Sequence, residues 1–261
     1  MANKLAIVTG ASTGIGFELA HCAARDGYDL IVVADEPLIE ASAADFRSAG
    51  TEVTAVQIDL STIEGVDQLL EAVGGRPVDM LCANAGTGLG GAFLDQPFAD
   101  IRRTIDTNVT GTLYLLQRVL RDMVARGEGK VLVTGSIAGF IPGAFNAVYN
   151  GTKALIDNVT EALRNELKDV KGVTLTTLLP GATDTEFFER AGMLDTQVGQ
   201  DDGKADPAKV AKDGWDAAIA GRGRITSGLS NKLQVAGSGV MPQSVLAEMH
   251  RGMAEPGSGE K

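Results

Sequence analysis

The chain has 261 residues, 44% apolar and 22% charged, which suits one large domain or two small ones and excludes a disordered chain or charged coil. Its 34 acidic and 23 basic side chains leave a net charge of -11, with no basic face for a nucleic-acid backbone. Aromatics are only 5%, and two histidines (His21, His250) and two cysteines (Cys22, Cys82) stand in no metal-ligand spacing, so neither a base-stacking platform nor a metal site is expected.

The first element is an apolar run at 5–8, reached without the charged and hydrophobic regions of a signal peptide. The longest early apolar run, 30–34, is far short of the roughly 20 residues of a membrane span. A cytoplasmic protein with no membrane partner is the expectation. Further β-branched runs lie at 30–33, 53–56, 80–81, 131–133 and 173–178. Helical spacing fills about 14–26, 37–49, 62–73, 98–125 and 147–168. Strands apolar at nearly every position are buried on both faces, and strict alternation with helices means βαβ units. The fold class is therefore α/β, a single-domain doubly wound parallel sheet with helices on both faces. After Pro180 the pattern weakens: a polar, lid-like segment at about 183–206, a helix at 207–220, a short strand at 224–226 and helices to about 252. Residues 1–252 are read as one domain, and 253–261 as a disordered tail.

Most informative is the turn after the first strand, Thr9-Gly10-Ala11-Ser12-Thr13-Gly14-Ile15-Gly16. Gly10 permits a tight turn, Gly14 lets the backbone approach a pyrophosphate, and Gly16 lets the helix lie close to the sheet. The helix N-terminus then offers unpaired N–H groups to the anion. At the end of the second strand stand Asp35 and Glu36. A carboxylate there accepts from the adenosine ribose hydroxyls and repels a 2′-phosphate. Thr13 is not basic either, so NAD is expected over NADP.

A second constellation is Tyr149 and Lys153, four apart and therefore on one helix face. A phenol is a weak base at neutral pH, and a neighbouring ammonium favours its ionised form. Ser136 follows the 131–133 strand at its carboxyl end, the edge where open α/β sheets bind ligands. Its hydroxyl can hold a carbonyl or alkoxide oxygen.

These residues resemble the short-chain dehydrogenases/reductases, whose doubly wound sheet is a Rossmann fold. The likeness covers about residues 4–190 and includes the glycine turn, Asp59-Leu60, Asn84-Ala85-Gly86, Asn108, Ser136, Tyr149, Lys153 and Pro180-Gly181. It implies Tyr149 as acid/base, Lys153 on the nicotinamide ribose, and Ser136 on the substrate oxygen. Asn108 would kink the fourth helix and hold a water in a proton relay. Asp59 and Leu60 would meet the adenine, while Asn84, Ala85 and Gly86 would line the cofactor. Pro180, Gly181 and Thr183 would back the nicotinamide, with Thr185 near its carboxamide. Where a related branch often has two arginines this chain has Asp35-Glu36, which sharpens the NAD expectation. NAD is mostly oxidised in cells, so alcohol oxidation is the expected direction.

The substrate pocket is expected from Ser136, Phe140, Asn146, Phe187, Phe188 and Met193. Its apolar character points to a hydrophobic secondary alcohol or ketone. From Asp184 to Lys204, six acidic and two basic residues leave the lid at -4, unfavourable for a 3-oxoacyl thioester on an acidic carrier. That thioester reductase remains the alternative, with a non-catalytic dinucleotide sensor and a sugar-nucleotide epimerase or dehydratase behind it. Members of this family pair through the fourth and fifth helices, so a homodimer or homotetramer is expected.

Overall fold

The structure is a computed structural model and describes residues 3–260. Among them, strands β1 (Leu5–Thr9), β2 (Asp29–Ala34), β3 (Val53–Gln57), β4 (Met80–Ala83), β5 (Gly129–Thr134), β6 (Val173–Leu179) and β7 (Arg224–Thr226) form one parallel sheet. Their order is β3-β2-β1-β4-β5-β6-β7. The order reverses between β1 and β4, which opens a crevice at their carboxyl ends.

The continuous apolar runs are explained by cover on both faces. Successive side chains of a strand point to opposite sides. Ala6 and Val8 of β1 join the core under helices α1 (Gly14–Arg25) and α2 (Leu38–Arg47), shared by Leu19 and Phe46. Leu5 and Ile7 join the opposite core with helix α3 (Ile63–Val73), through Val66 and Leu69. Cys82 is a fully buried member of the first core. His21 lies edge-on between Phe17 and Phe46, with ring centroids 4.6 and 4.9 Å away.

Gly16 has a steric reason. A Cβ at this position would overlap the Gly10 carbonyl oxygen, so only glycine lets α1 leave the turn this closely.

The predicted helix at 98–125 is divided. α4 (Phe98–Ile105) and α5 (Thr112–Arg126) flank a wide π-helical segment, Asp106–Gly111, and Gly127 ends the run at φ 71°. α6 (Ala147–Glu166) crosses the second core with Ile156. No helix among the described residues is long and apolar enough to cross a membrane.

The predicted lid contains two short helices, α7 (Phe187–Arg190) and α8 (Gln197–Gln200), and is closed at its base by a bridge between Thr183 and Ala205. α9 (Pro207–Ile219) is capped by Asp206, which accepts from the Ala208 amide at 2.9 Å, with Pro207 in the first turn. α9 lies across α1, where Trp215 Nε1 donates to Asp26 at 2.8 Å and the indole meets the Tyr28 ring edge-on. α10 (Leu229–Ser238) and α11 (Gln243–Ala254) complete the chain.

The expectation of a disordered tail at 253–261 is corrected. Ala254 is buried within α11, and a single turn forms at Ser258–Glu260. Gly257 and Gly259 donate to the Asp195 carboxylate and carbonyl at 2.8 and 3.0 Å, and Ser258 Oγ accepts from the Gln197 amide at 2.9 Å. Small residues that read as disorder fit against the lid because they leave its polar groups room to bond. Residue 261 lies outside the described residues.

Two outcomes follow. Gly16→Ala overpacks the α1–turn contact and is expected to cost about 1–3 kcal/mol, read as a lower urea midpoint at unchanged slope. Truncation after Ala254 is expected to raise amide exchange across 187–200 while β1, β4 and β5 stay protected; unchanged lid exchange would deny the tail its fastening role.

Candidate active site

The carboxyl ends of β1, β4 and β5 are joined by one hydrogen-bonded network. Thr9 Oγ1 donates to the Cys82 carbonyl and accepts from the Asn84 and Ala85 amides. The Asn84 amide group donates to the Thr9 and Gly10 carbonyls at 3.1 and 3.3 Å and accepts from Thr134 Oγ1 at 2.9 Å. Above this edge lies a cavity of about 660 Å³, walled by the glycine turn at one end and by Tyr149 at the other.

Gly10 and Gly14 adopt φ of 64° and 59°, a region that L side chains rarely occupy. A Cβ on Gly14 would come within 2.9 Å of Thr185 in the lid. A Cβ on Gly86 would sit 3.2 Å from Asn108 Oδ1 and 3.5 Å from Lys153 Nζ. The lack of side chains at these places keeps a continuous floor open, which fits an extended dinucleotide. Ser12, Thr13, Ile15, Leu60, Ala85, Pro180, Gly181 and Thr183 also line the cavity. Gly16 does not: it lies beneath the turn.

Where the cavity meets the end of β2 the two consecutive carboxylates diverge. Asp35 lines the cavity and pairs with Arg103 at 2.9 Å, and Arg103 also holds Asp59 at 3.0 Å. Desolvation acts to raise the Asp59 carboxyl, but the Ser61 amide and Arg103 hold it below the usual carboxylate range. Glu36, expected at the cofactor, is off the cavity wall. It accepts from Ser12 Oγ at 2.5 Å and from Arg190 of the lid at 2.9 Å, in the bend that follows β2.

At the other end α6 carries Tyr149, Lys153 and Asp157 at successive turns. Lys153 Nζ donates to the Thr134 carbonyl at 2.8 Å and lies 5.8 Å from the centre of the Tyr149 ring. The ring also meets Phe187 at 5.0 Å. Ser136 lies in the same wall, its Oγ accepting from the Ala138 amide at 3.1 Å. Burial pushes the Tyr149 phenol up to about 12, and the Ser136 hydroxyl pulls the other way. Burial brings Lys153 down to about 8, opposed by the Asp157 carboxylate. Asp157 is pushed up to about 7 by burial, opposed first by Lys153. The Ser136 backbone amide also favours the Asp157 carboxylate. A Cβ on Gly135 would strike this carboxylate, so glycine there makes its room.

Asn108 sits in the π segment, buried and off the cavity wall. Its side chain accepts from the Thr87 amide at 2.8 Å, and donates to the Thr87 carbonyl at 2.9 Å and to Thr152 Oγ1 at 3.0 Å. It thus ties the loop after β4 to α6, beside Lys153.

Of the residues expected around a substrate, Asn146, Phe187, Phe188 and Met193 line the cavity. Phe140 does not and is a correction: it ends a 3-10 turn, Ile137–Phe140, and the Arg224 guanidinium covers its ring at 5.7 Å. Sequence reading missed Arg103, His250 and Met253. The last two reach the cavity from α11, about 100 residues beyond Tyr149, and no local signal marks them. His250 Nδ1 donates to the Ala144 carbonyl at 2.8 Å, and burial lowers the affinity of its ring for a proton. The next residue, Phe145, holds a φ of 62°, strained for a bulky side chain, under the Arg251 guanidinium at 4.9 Å.

Comparison with known proteins gives the family. The short chain dehydrogenase family profile matches residues 4–193. A ketoacyl reductase, HetN, from Nostoc sp. is 29% identical over 260 residues, covering 94% of this chain and 88% of its own. A short-chain dehydrogenase from Sphingobium yanoikuyae, solved with NADPH, superposes with a TM-score of 0.80 at 29% identity, covering 91% of this chain and 94% of that one. One from Burkholderia phymatum, solved with NAD, gives 0.82 at 24% identity over 90% and 92%, and supports the fold. With the glycine turn, the central asparagine and the Ser-Tyr-Lys cluster in one cleft, the chain belongs to the short chain dehydrogenase family and is an oxidoreductase.

Proposed function

We propose that this protein is an NAD-dependent oxidoreductase that interconverts a hydrophobic, uncharged secondary alcohol and its ketone. The observation that carries the reading is the two-ended cavity: Tyr149, Lys153 and Ser136 at one end, and the Asp35 carboxylate at the other. The glycine turn would hold the pyrophosphate and Asp35 the adenosine ribose. Lys153 would reach the nicotinamide ribose. Bound there, the nicotinamide supplies or takes the hydride.

The chain's own groups manage the proton and the geometry. In reduction Tyr149 Oη gives its proton to the substrate oxygen as the carbon gains hydride. In oxidation the same phenol oxygen takes the hydroxyl proton. Ser136 Oγ holds that oxygen in reach. A phenol at about 12 is too weak an acid alone, so the charge beside it matters. Lys153, near 8, is mostly protonated at neutral pH and stabilises the phenolate. Ile141, Phe187, Phe188, Met193 and Met253 exclude water and favour an apolar skeleton. The acidic lid supports an uncharged substrate. A second reading, 3-oxoacyl thioester reduction, draws on the ketoacyl reductase name of the Nostoc relative.

An apolar groove lined by Leu113, Leu116 and Leu120 of α5 and by Val159, Leu163 and Leu167 on the α6 side supports pairing of two copies across these helices.

Three outcomes test these assignments. A panel of secondary alcohols with either dinucleotide should give the higher kcat/KM with NAD. NADP winning would overturn the cofactor choice, and turnover of acetoacetyl thioesters alone would favour the second reading. Tyr149→Phe should keep NADH binding but lose roughly 10²–10⁴-fold or more in kcat. In Asp157→Asn the Lys153 ammonium loses its nearby negative charge, so its NMR titration midpoint should move below about 8, with the alkaline limb of kcat/KM moving the same way. An unmoved midpoint would mean that Asp157 does not act on Lys153.

A further inference from the structure

The adenosine end of the cavity holds a cation that the cofactor reading leaves without a task. Arg103 comes from α4, whereas the residues expected to read the adenosine follow β2 and β3. Its guanidinium spans both carboxylates, with one nitrogen 2.9 Å from Asp35 and another 3.0 Å from Asp59. It lines the cavity and its side chain is 51% exposed, so it is held by these two ion pairs and not by burial.

The other cations of the cavity wall are engaged elsewhere. Lys153 donates to the Thr134 carbonyl at the catalytic end. Arg190 is bound to Glu36 and Glu186. Thr13, in the glycine turn, is neutral. Arg103 is thus the cation in direct contact with the carboxylate expected to face the 2′-hydroxyl.

We propose that Arg103 is a masked 2′-phosphate receptor: Asp35 occupies its guanidinium, and the Asp35–Arg103 pair, not Asp35 alone, sets the choice between the two dinucleotides. This rests on the dinucleotide reading of the cavity given above.

The charge balance shows why. Asp35, Asp59 and Arg103 together carry one net negative charge. A 2′-phosphate, with close to two negative charges, is repelled by Asp35 and competes with it for Arg103. Losing the Asp35 charge alone frees one edge of a planar fork that suits phosphate oxygens in bidentate fashion. Losing Arg103 alone leaves two uncompensated carboxylates beside the same ribose. Arg103 therefore tempers the discrimination while Asp35 is present and reverses it when Asp35 is gone. Asp35 and Arg103 are both about half exposed, at 52% and 51%, so substituting them leaves the core untouched.

The test is a binding cycle on the full chain, following NADH and NADPH by their own fluorescence without substrate. Asp35→Asn is expected to weaken NADH and to tighten NADPH by about tenfold or more. In Asp35→Asn with Arg103→Ala that NADPH gain should vanish. Arg103→Ala alone should weaken NADPH more than NADH. The gain in Asp35→Asn should also shrink with added salt. If the double variant binds NADPH as tightly as Asp35→Asn, Arg103 is not the receptor and the proposal falls. If the unmodified protein already prefers NADPH, the NAD reading fails. Arg103→Ala then still decides: lost NADPH binding makes Arg103 an unmasked receptor, and unchanged binding rejects it.

Discussion

Much of this molecule depends on one half-buried amide. Asn84 stands where the strand order reverses and bonds at once to the ends of β1 and β5. Parallel strands diverge at their carboxyl ends, and something must satisfy the backbone groups left open there. Asn84 does so with a donor and an acceptor on one short side chain. Thr9 takes up the Asn84 and Ala85 amides and Thr134 completes the set. The carbonyl of that same Thr134 receives the Lys153 ammonium. The group that closes the sheet thus also fixes the height of Lys153. Leaving the buried Thr9 and Thr134 groups without this partner costs on the order of 1–3 kcal/mol, and here the loss would also loosen the site.

The site behind it is an electrostatic compromise. Three ionisable groups on consecutive turns of α6 are all drawn out of water, which disfavours every charge among them. Lys153 and Asp157 each relieve the other's desolvation. Tyr149 gains from Ser136 and is opposed by Asp157. Lys153, near 8, and Asp157, near 7, are thereby brought close to neutral pH, while Tyr149 keeps its proton.

Much of this is legible in the residues, and for specific reasons. The strands show because a sheet covered on both sides leaves no polar alternation. The glycine turn shows because backbone approach forbids side chains at fixed spacing. Tyr149 and Lys153 show because the helix repeat places them on one face. What escaped was tertiary. Asp35 and Glu36 look equivalent as neighbours, yet the bend after β2 sends one to the cavity and the other to Ser12 and Arg190. Phe140 follows Ser136 closely, but a 3-10 turn carries it under Arg224. His250, Met253 and Arg103 arrive from distant helices. The tail was misread because small residues look alike whether they are solvated or docked.

The π segment at Asp106–Gly111 has a consequence for how this chain can vary in length. A π turn amounts to one residue more than a regular helix holds there. Deleting a single residue from it would close the wide turn into an ordinary helix and leave the two flanks in phase, whereas the same deletion in a regular helix rotates one flank by about 100° against the other. What would be displaced is local: Asn108, which bonds Thr87 and Thr152 from inside the wide turn. Arg103, in the regular helix before it, would keep its place between Asp35 and Asp59. The wide turn is thus a place where the chain can change length by one residue at the expense of a single bridge.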